Sequence, residues 1–310
     1  MKKVVGVVLS IFLLCNIASA QSPKKRIALT YDDAPLGDSF LSGKDRTEKL
    51  IAGLEKAGVD QAAFFITTHG IDSPRRLARV QSYANAGHVI ANHSHTHPWL
   101  GKISSDEYLA NIDRAEETLA LFENRRNWFR FPYLNEAPDL QKRNAVREGL
   151  KARKLQNGYV TVDTFDWYLN SLFQEASENG RSVCVPALSK LYADMMVNAA
   201  NFFDKAARDT MGRSPAHTLL LHENDIAAMF VVDLVKALEN DGWEIISADE
   251  AYADPIARIE PDTLFLGQGR VAAIASLKGR TPQSFSHFAV EEEQIKEAFE
   301  KGYGVFQICD

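Results

Sequence analysis

RIALTYDDAP, residues 26–35, is the stretch that decides the fold. Residues 26–31 form a short apolar run without polar alternation, the pattern of a strand buried on both faces. The run stops at Asp32-Asp33, so two carboxylates stand at a strand end. A strand covered on both faces belongs in a parallel sheet with helices packed against it.

The same alternation continues outward. Apolar strand runs are expected at 61–67, 88–91, 128–131, 159–164, 218–221 and 243–247, with helical spacing at 50–57, 77–86, 112–122 and 227–238. Strands alternating with amphipathic helices predict an α/β fold, either an open doubly wound sheet or a (β/α) barrel. Two stretches look added to that core. One is 169–214, with a helical segment at 190–207. The other is the tail from 255, whose helix over 290–301 carries Glu291, Glu292 and Glu293 in its first turn, where the helix dipole favours them.

Composition sets the outer limits. The chain has 310 residues, 45% hydrophobic and 25% charged, with a formal net charge of −6. That excludes a disordered or collagen-like chain and a disulfide-framework protein, and gives no drive toward nucleic acid or anionic membrane. Lys2 and Lys3, an apolar run over 4–17 and Ala18-Ser19-Ala20 have the order of a secretory signal peptide cleaved after Ala20. The apolar run is shorter than the ~20 residues of a spanning helix, so no stable membrane insertion is expected after cleavage. The expected organisation is a signal peptide over 1–20, a main domain over 21–254 and a C-terminal extension over 255–310. Cys184 and Cys309 remain, either bridged or as two free thiols. Oligomeric state has no signature in the sequence.

Five motifs carry chemistry. Adjacent carboxylates at a strand end point to different sides of the chain, so one of Asp32 and Asp33 can bind a metal while the other stays free as a base; such a pair also suits a helix cap. His93, His95 and His97 lie in NHSHTHP. His93 and His97 can face one cation from a helical turn, a tight loop or an extended strand, whereas His95 is expected to be supporting or exposed. Arg130, in RFPY, emerges from the aromatic run Trp128-Phe129 and needs a carboxylate partner if buried. Asp163, Asp166 and Trp167 end another run in DTFDW, and His222 tips the strand LLLH. Each motif follows a separate predicted strand, so all five would meet on one C-terminal rim, where barrel active sites lie.

In that order, TYDDAP, HSHTHP, RFPY, DTFDW and LLLH resemble the five motifs of the polysaccharide deacetylases of carbohydrate esterase family 4, the NodB-homology domain. The resemblance covers roughly 26–255. It implies a distorted (β/α) barrel of fewer than eight strands, here with an insertion and a C-terminal appendage. It further implies one divalent metal on Asp33, His93 and His97, Zn2+ by preference and Co2+ or Ni2+ as alternatives. Asp32 would be the general base, held by Arg130, and His222 the general acid, held by Asp166. The Tyr133 N–H would stabilise the oxyanion, and Trp167 and Leu220 would line the acetyl pocket. The implied partner is a carbohydrate polymer or oligomer losing N-acetyl groups. An O-acetyl esterase on acetylated xylan and a non-catalytic carbohydrate-binding barrel are the alternatives. Two positions depart from the family pattern: Tyr31 replaces Phe, and Ala34 replaces a glycine, which puts the geometry of that turn in question.

Overall fold

Ile27, Ala28, Leu29 and Tyr31 are each wholly buried, so the strand they form can only sit inside the sheet. The computed structural model describes residues 24–265 and 267–309; the predicted signal peptide lies outside them. Among the described residues seven strands form one parallel sheet: β1 (Lys25–Ala34), β2 (Ala63–Ile66), β3 (Val89–Asn92), β4 (Arg125–Phe129), β5 (Gln156–Asn157), β6 (Ala216–His222) and β7 (Trp243–Ile245). The order is β5-β4-β3-β2-β1-β6. β6 pairs with β1 from Arg26↔Ala216 to Asp32↔His222. β7 pairs with β1 over Lys25–Ile27, and β2 pairs with it from Thr30 to Ala34.

The sheet curls until its ends meet. Gly158 N–H donates to Phe129 O at 2.7 Å, and Leu220 N–H donates to Val162 O at 3.0 Å. One short segment thus bridges β4 and β6. The structure corrects the strand expected at 159–164: β5 has two residues, followed by the single bridge Val162↔Leu219. A segment that leaves one neighbour for another cannot keep a continuous ladder. Gly158 permits the crossing, because a Cβ there would come within 2.4 Å of the Phe65 ring. The result is the distorted (β/α) barrel expected from the motifs.

The α-helices among the described residues are α1 (Gly43–Lys56), α2 (Pro74–Asn85), α3 (Ser105–Leu119), α4 (Leu140–Ala152), α5 (Asp166–Glu178), α6 (Val185–Met211), α7 (Asp225–Asn240), α8 (Ala248–Tyr252), α9 (Gly269–Ser276) and α10 (Glu292–Glu297). Side chains close several of their N-termini: Ser42, Ser73, Ser104, Asp139 and Asn224 each accept from a first-turn N–H. α4 was not anticipated; its buried stripe is only Arg143, Val146 and Leu150, too sparse to show periodicity. No helix among the described residues is long and apolar enough to cross a membrane.

Both stretches that look added share the main core. Leu188, Leu191, Met195, Ala199 and Phe203 of α6 lie in one buried cluster with Leu29 and Phe64 of the sheet, and with Val271, Ala275, Phe285, Ile295 and Phe299 of the tail. The helix expected over 190–207 is longer, 27 residues. Cys184 and Cys309 are paired, with Cα atoms 5.4 Å apart across a sequence separation of 125. A loop of that length should lower unfolded-state entropy enough to stabilise the fold by up to ~5 kcal/mol. Cys184→Ser is therefore expected to lower the urea midpoint clearly relative to the oxidised protein. Coincident melts would show that the bridge contributes nothing to global stability.

Candidate active site

β1 is bulged where the chemistry begins. Tyr31 pairs with Phe64 but Ala34 pairs with Ile66, so β1 uses one more residue than β2 over this interval. The extra residue falls at Asp32-Asp33, and Asp33 takes a left-handed φ of 64°. The two carboxylates are thereby turned to different partners. Ala34 is not among the positive-φ residues and is wholly buried; the bulge places the strained conformation on Asp33, so an alanine at position 34 is accommodated.

Asp32 is 3% exposed and its Oδ1 takes a hydrogen bond from Arg130 Nη1. Arg130, itself wholly buried, also donates from Nε to Gly158 O at 2.7 Å and from Nη2 to Tyr252 Oη at 2.8 Å. Its guanidinium lies 3.8 Å above the Phe65 ring. A guanidinium held at every edge cannot swing away, so Asp32 has a fixed cationic partner on one side. On the other side Asp32 Oδ2 lies 3.4 Å from His93 Nε2.

The histidine run is a tight loop, one of the three arrangements the spacing allowed. His93 N–H donates to Ile66 O, Ser94 N–H to Asn92 Oδ1 at 2.6 Å and His97 N–H to Ser94 Oγ at 2.9 Å. His95 turns away to Thr68 Oγ1, 2.9 Å from its Nδ1. It is buried and takes no part in the cluster, as a supporting residue would. Asp33, His93 and His97 form the group among the described residues that could hold a metal, with donor atoms all within 4.8 Å of one another. Asp33 Oδ1 is 3.8 Å from His93 Nε2 and 3.7 Å from His97 Nε2. Those separations are close to the edge of a tetrahedron with bonds of about 2.0–2.2 Å.

The donor chemistry fits a cation too. His93 Nδ1 is 2.9 Å from Arg130 O, a bond only an N–H can make. In neutral His93 the Nε2 lone pair therefore faces two carboxylates, which is repulsive unless a positive charge lies between them. Burial would raise the Asp33 pKa, but His93, His97, His222 and the Thr67 hydroxyl together hold it below the usual carboxylate value. Burial, reinforced by His93, pushes His97 down to about 4, leaving its imidazole neutral and free to ligate at neutral pH.

Across the cavity His222 Nδ1 is 2.6 Å from Asp166 Oδ1. Asp166 is the first residue of α5, where the helix dipole favours a carboxylate. Its Oδ2 accepts from His222 N–H and Asn224 Nδ2, both at 2.9 Å. Burial alone would lower the His222 pKa; Asp166, with Asp33 and Asp32 behind it, raises it to about 9. In the metal-free protein the imidazole is thus protonated at neutral pH. Asp163 is 2% exposed, its Oδ2 has no hydrogen-bond partner among the described residues, and burial raises its carboxyl to about 7.

These groups surround a cavity of about 500 Å³, lined by Asp32, Asp33, His93, His97 and His222 together with Tyr133, Leu134, Trp167, Leu220 and Gly267. A volume of that size suits a small polar ligand group with part of a larger molecule. Every predicted site residue is at this cavity except Arg130 and Asp166, which stand directly behind Asp32 and His222. Leu134 and Gly267 were missed, since neither carries a chemical signature, and Gly267 comes from the tail. Asp33, Ser94, His97, Tyr133 and Leu134 all have positive φ. Such non-glycine conformations cost about 1–3 kcal/mol each and gather at functional sites.

Residues 19–151 match the family model described as polysaccharide deacetylase. The chain is 30% identical over 144 residues to the peptidoglycan-N-acetylglucosamine deacetylase of Bacillus cereus, covering 46% of this chain and 47% of that protein. It is 28% identical over 126 residues to the uncharacterized protein YlxY of Bacillus subtilis, covering 40% and 37%. The chain thus spans about half or less of the length of these curated relatives. Among solved structures, a mutant CE4-family pseudoenzyme from Bacillus anthracis with restored enzymatic activity aligns at a TM-score of 0.50 and 18% identity, over 74% of this chain and 68% of that one. That likeness concerns the fold. The matched residues end with α4, and the sheet runs on beyond them to the strand that carries His222; over residues 19–151 the chain is similar to the polysaccharide deacetylases.

Proposed function

We propose that the chain is an exported, metal-dependent hydrolase that removes acetyl groups from N-acetylated amino sugars of a chitooligosaccharide or peptidoglycan type, releasing acetate. One observation carries this reading: a carboxylate locked to a buried arginine and a histidine locked to a buried carboxylate face each other across a cavity that also holds two histidines and an aspartate at metal-ligand spacing.

Asp33, His93 and His97 would hold the divalent cation, Zn2+ by preference. Such an ion supplies Lewis acidity toward a water and a carbonyl oxygen. Asp32 Oδ2 takes the proton of the attacking water, and the hydrogen bond from Arg130 to Oδ1 holds the carboxylate aimed. Tyr133, fixed at a φ of 59°, offers its N–H to the oxygen that gains charge as water adds to the acetamide carbon. When the C–N bond breaks, His222 gives its proton to the departing nitrogen, because an amide anion is too basic to leave unassisted. Trp167 and Leu220 shape the apolar wall for the acetyl methyl. The polymeric substrates of this reaction lie outside the cytoplasm, in keeping with the predicted signal peptide and with the cell-wall substrate that names the Bacillus cereus relative.

The test is acetate release from N-acetylglucosamine oligomers, peptidoglycan and acetylated xylan. Each is run as purified, after chelation and after zinc is restored. Release from an N-acetylated substrate that chelation abolishes and zinc restores is expected. Preference for xylan would replace the amide reading with an O-acetyl esterase, and no release with a cation bound would favour a binding barrel.

A further inference from the structure

Trp99 and Tyr133 are 46% and 51% exposed. Single exposed aromatics are ordinary, but these two are contiguous and lead out of the cavity. The Tyr133 ring, part of the cavity wall, is 4.5 Å from the His97 ring, and the Trp99 ring is 5.1 Å beyond it with planes 33° apart. The row therefore runs from a candidate metal ligand to solvent.

The outer ring is held in place from below. Trp99 lies over Gly101, where a Cβ would meet the indole Nε1 at 2.7 Å and Cδ1 at 2.9 Å. The next residue, Leu100, is 1% exposed, and Lys142 Nζ donates to Leu100 O at 3.2 Å and to Ile103 O at 2.8 Å. The backbone under the indole is thus anchored on both sides. A large apolar surface kept exposed and rigid loses little entropy on binding a ligand.

We propose that Trp99, with Tyr133, forms a stacking subsite for a pyranose ring of the substrate chain, next to the sugar whose acetyl group enters the cavity. This rests on the function proposed above. A glycan with one acetamide in the cavity must leave it over a wall, and on this side the wall is a pair of aromatic faces matching the apolar C–H face of a sugar ring. Neither ring contributes a charge, so the subsite reads ring shape and not ionic groups.

The experiment compares Trp99→Ala and Trp99→Phe with the parent on an N-acetylglucosamine tetramer and on 4-nitrophenyl acetate, which has no sugar to stack. Trp99→Ala is expected to lower kcat/KM for the tetramer about tenfold more than for the aryl acetate, mainly through KM, with Trp99→Phe recovering most of the loss. Equal losses on both substrates would mean that Trp99 only supports His97 and Tyr133, and would overturn the subsite; so would unchanged tetramer kinetics. Binding is read separately by adding the tetramer to Asp32→Asn and following the Trp99 indole N–H resonance by NMR. If the parent releases no acetate from any N-acetylated glycan, the proposed function fails; a Trp99 resonance that still shifts with tetramer would uphold the subsite, and one that does not move would overturn it.

Discussion

Asp32→Asn should retain its bound cation and lose about 10³-fold in turnover, the usual contribution of a positioned general base. The amide has the shape of the carboxylate and can still accept from Arg130, but it cannot take a proton from water. Asp33, His93 and His97 are untouched by the change. His93→Ala and His97→Ala should instead lose metal and activity together, because two remaining protein donors hold an ion far more weakly than three. Metal content by atomic absorption, measured beside acetate release, separates the two outcomes. The substitution also leaves the buried Arg130 without its anionic partner, a change that can cost about 3–5 kcal/mol. A urea melt must therefore show that the variant is folded at the assay temperature. A near-normal rate in folded, metal-loaded Asp32→Asn would remove Asp32 from the role of base.

His222→Ala gives the second large effect, and its signature is the choice of substrate. An amide must leave with a proton and an activated aryl acetate need not. Loss on the acetamide should therefore exceed loss on 4-nitrophenyl acetate by about 10²-fold or more. Equal losses would count against His222 as the acid. The protonation state can be followed directly by NMR. In the chelated protein the imidazole should titrate near 9, held up by Asp166 against burial. Adding the cation brings positive charge into the same cavity and should move that titration down. Asp166→Asn should lower it in the chelated protein as well, by removing the carboxylate 2.6 Å away. The linked stability has a definite sign: because folding raises this pKa, the His222–Asp166 pair stabilises fully below pH 6.5 and loses that stabilisation as pH rises toward 9.

The parts of the site that could be read early are those whose residue types are unusual for their place. Two carboxylates ending an apolar strand, a triplet of histidines and an arginine inside an aromatic run each oppose the ordinary pattern of burial, and all of these but His95 lie at the cavity or directly behind it. The segments that escaped are unremarkable in type. Nothing in the sequence marks 159–164 as a crossing between two strands. Nothing marks the tail as a wall of the cavity, which it becomes by placing Gly267 beside Tyr133 and Leu134.

By itself the sequence determined the class of fold and the candidates for the reacting groups, because periodicity and residue chemistry are local properties. It left open whether the sheet closes, which way each imidazole faces, whether the cysteines pair and which residues wall the cavity. Those depend on contacts between residues far apart in the chain. Arg130 meets Asp32 across 98 positions and His222 meets Asp166 across 56. The bulge that separates Asp32 from Asp33 exists only because β2 pairs on either side of it. A side chain's direction and its proton affinity are set by what is packed around it, and that is decided only once the chain has folded.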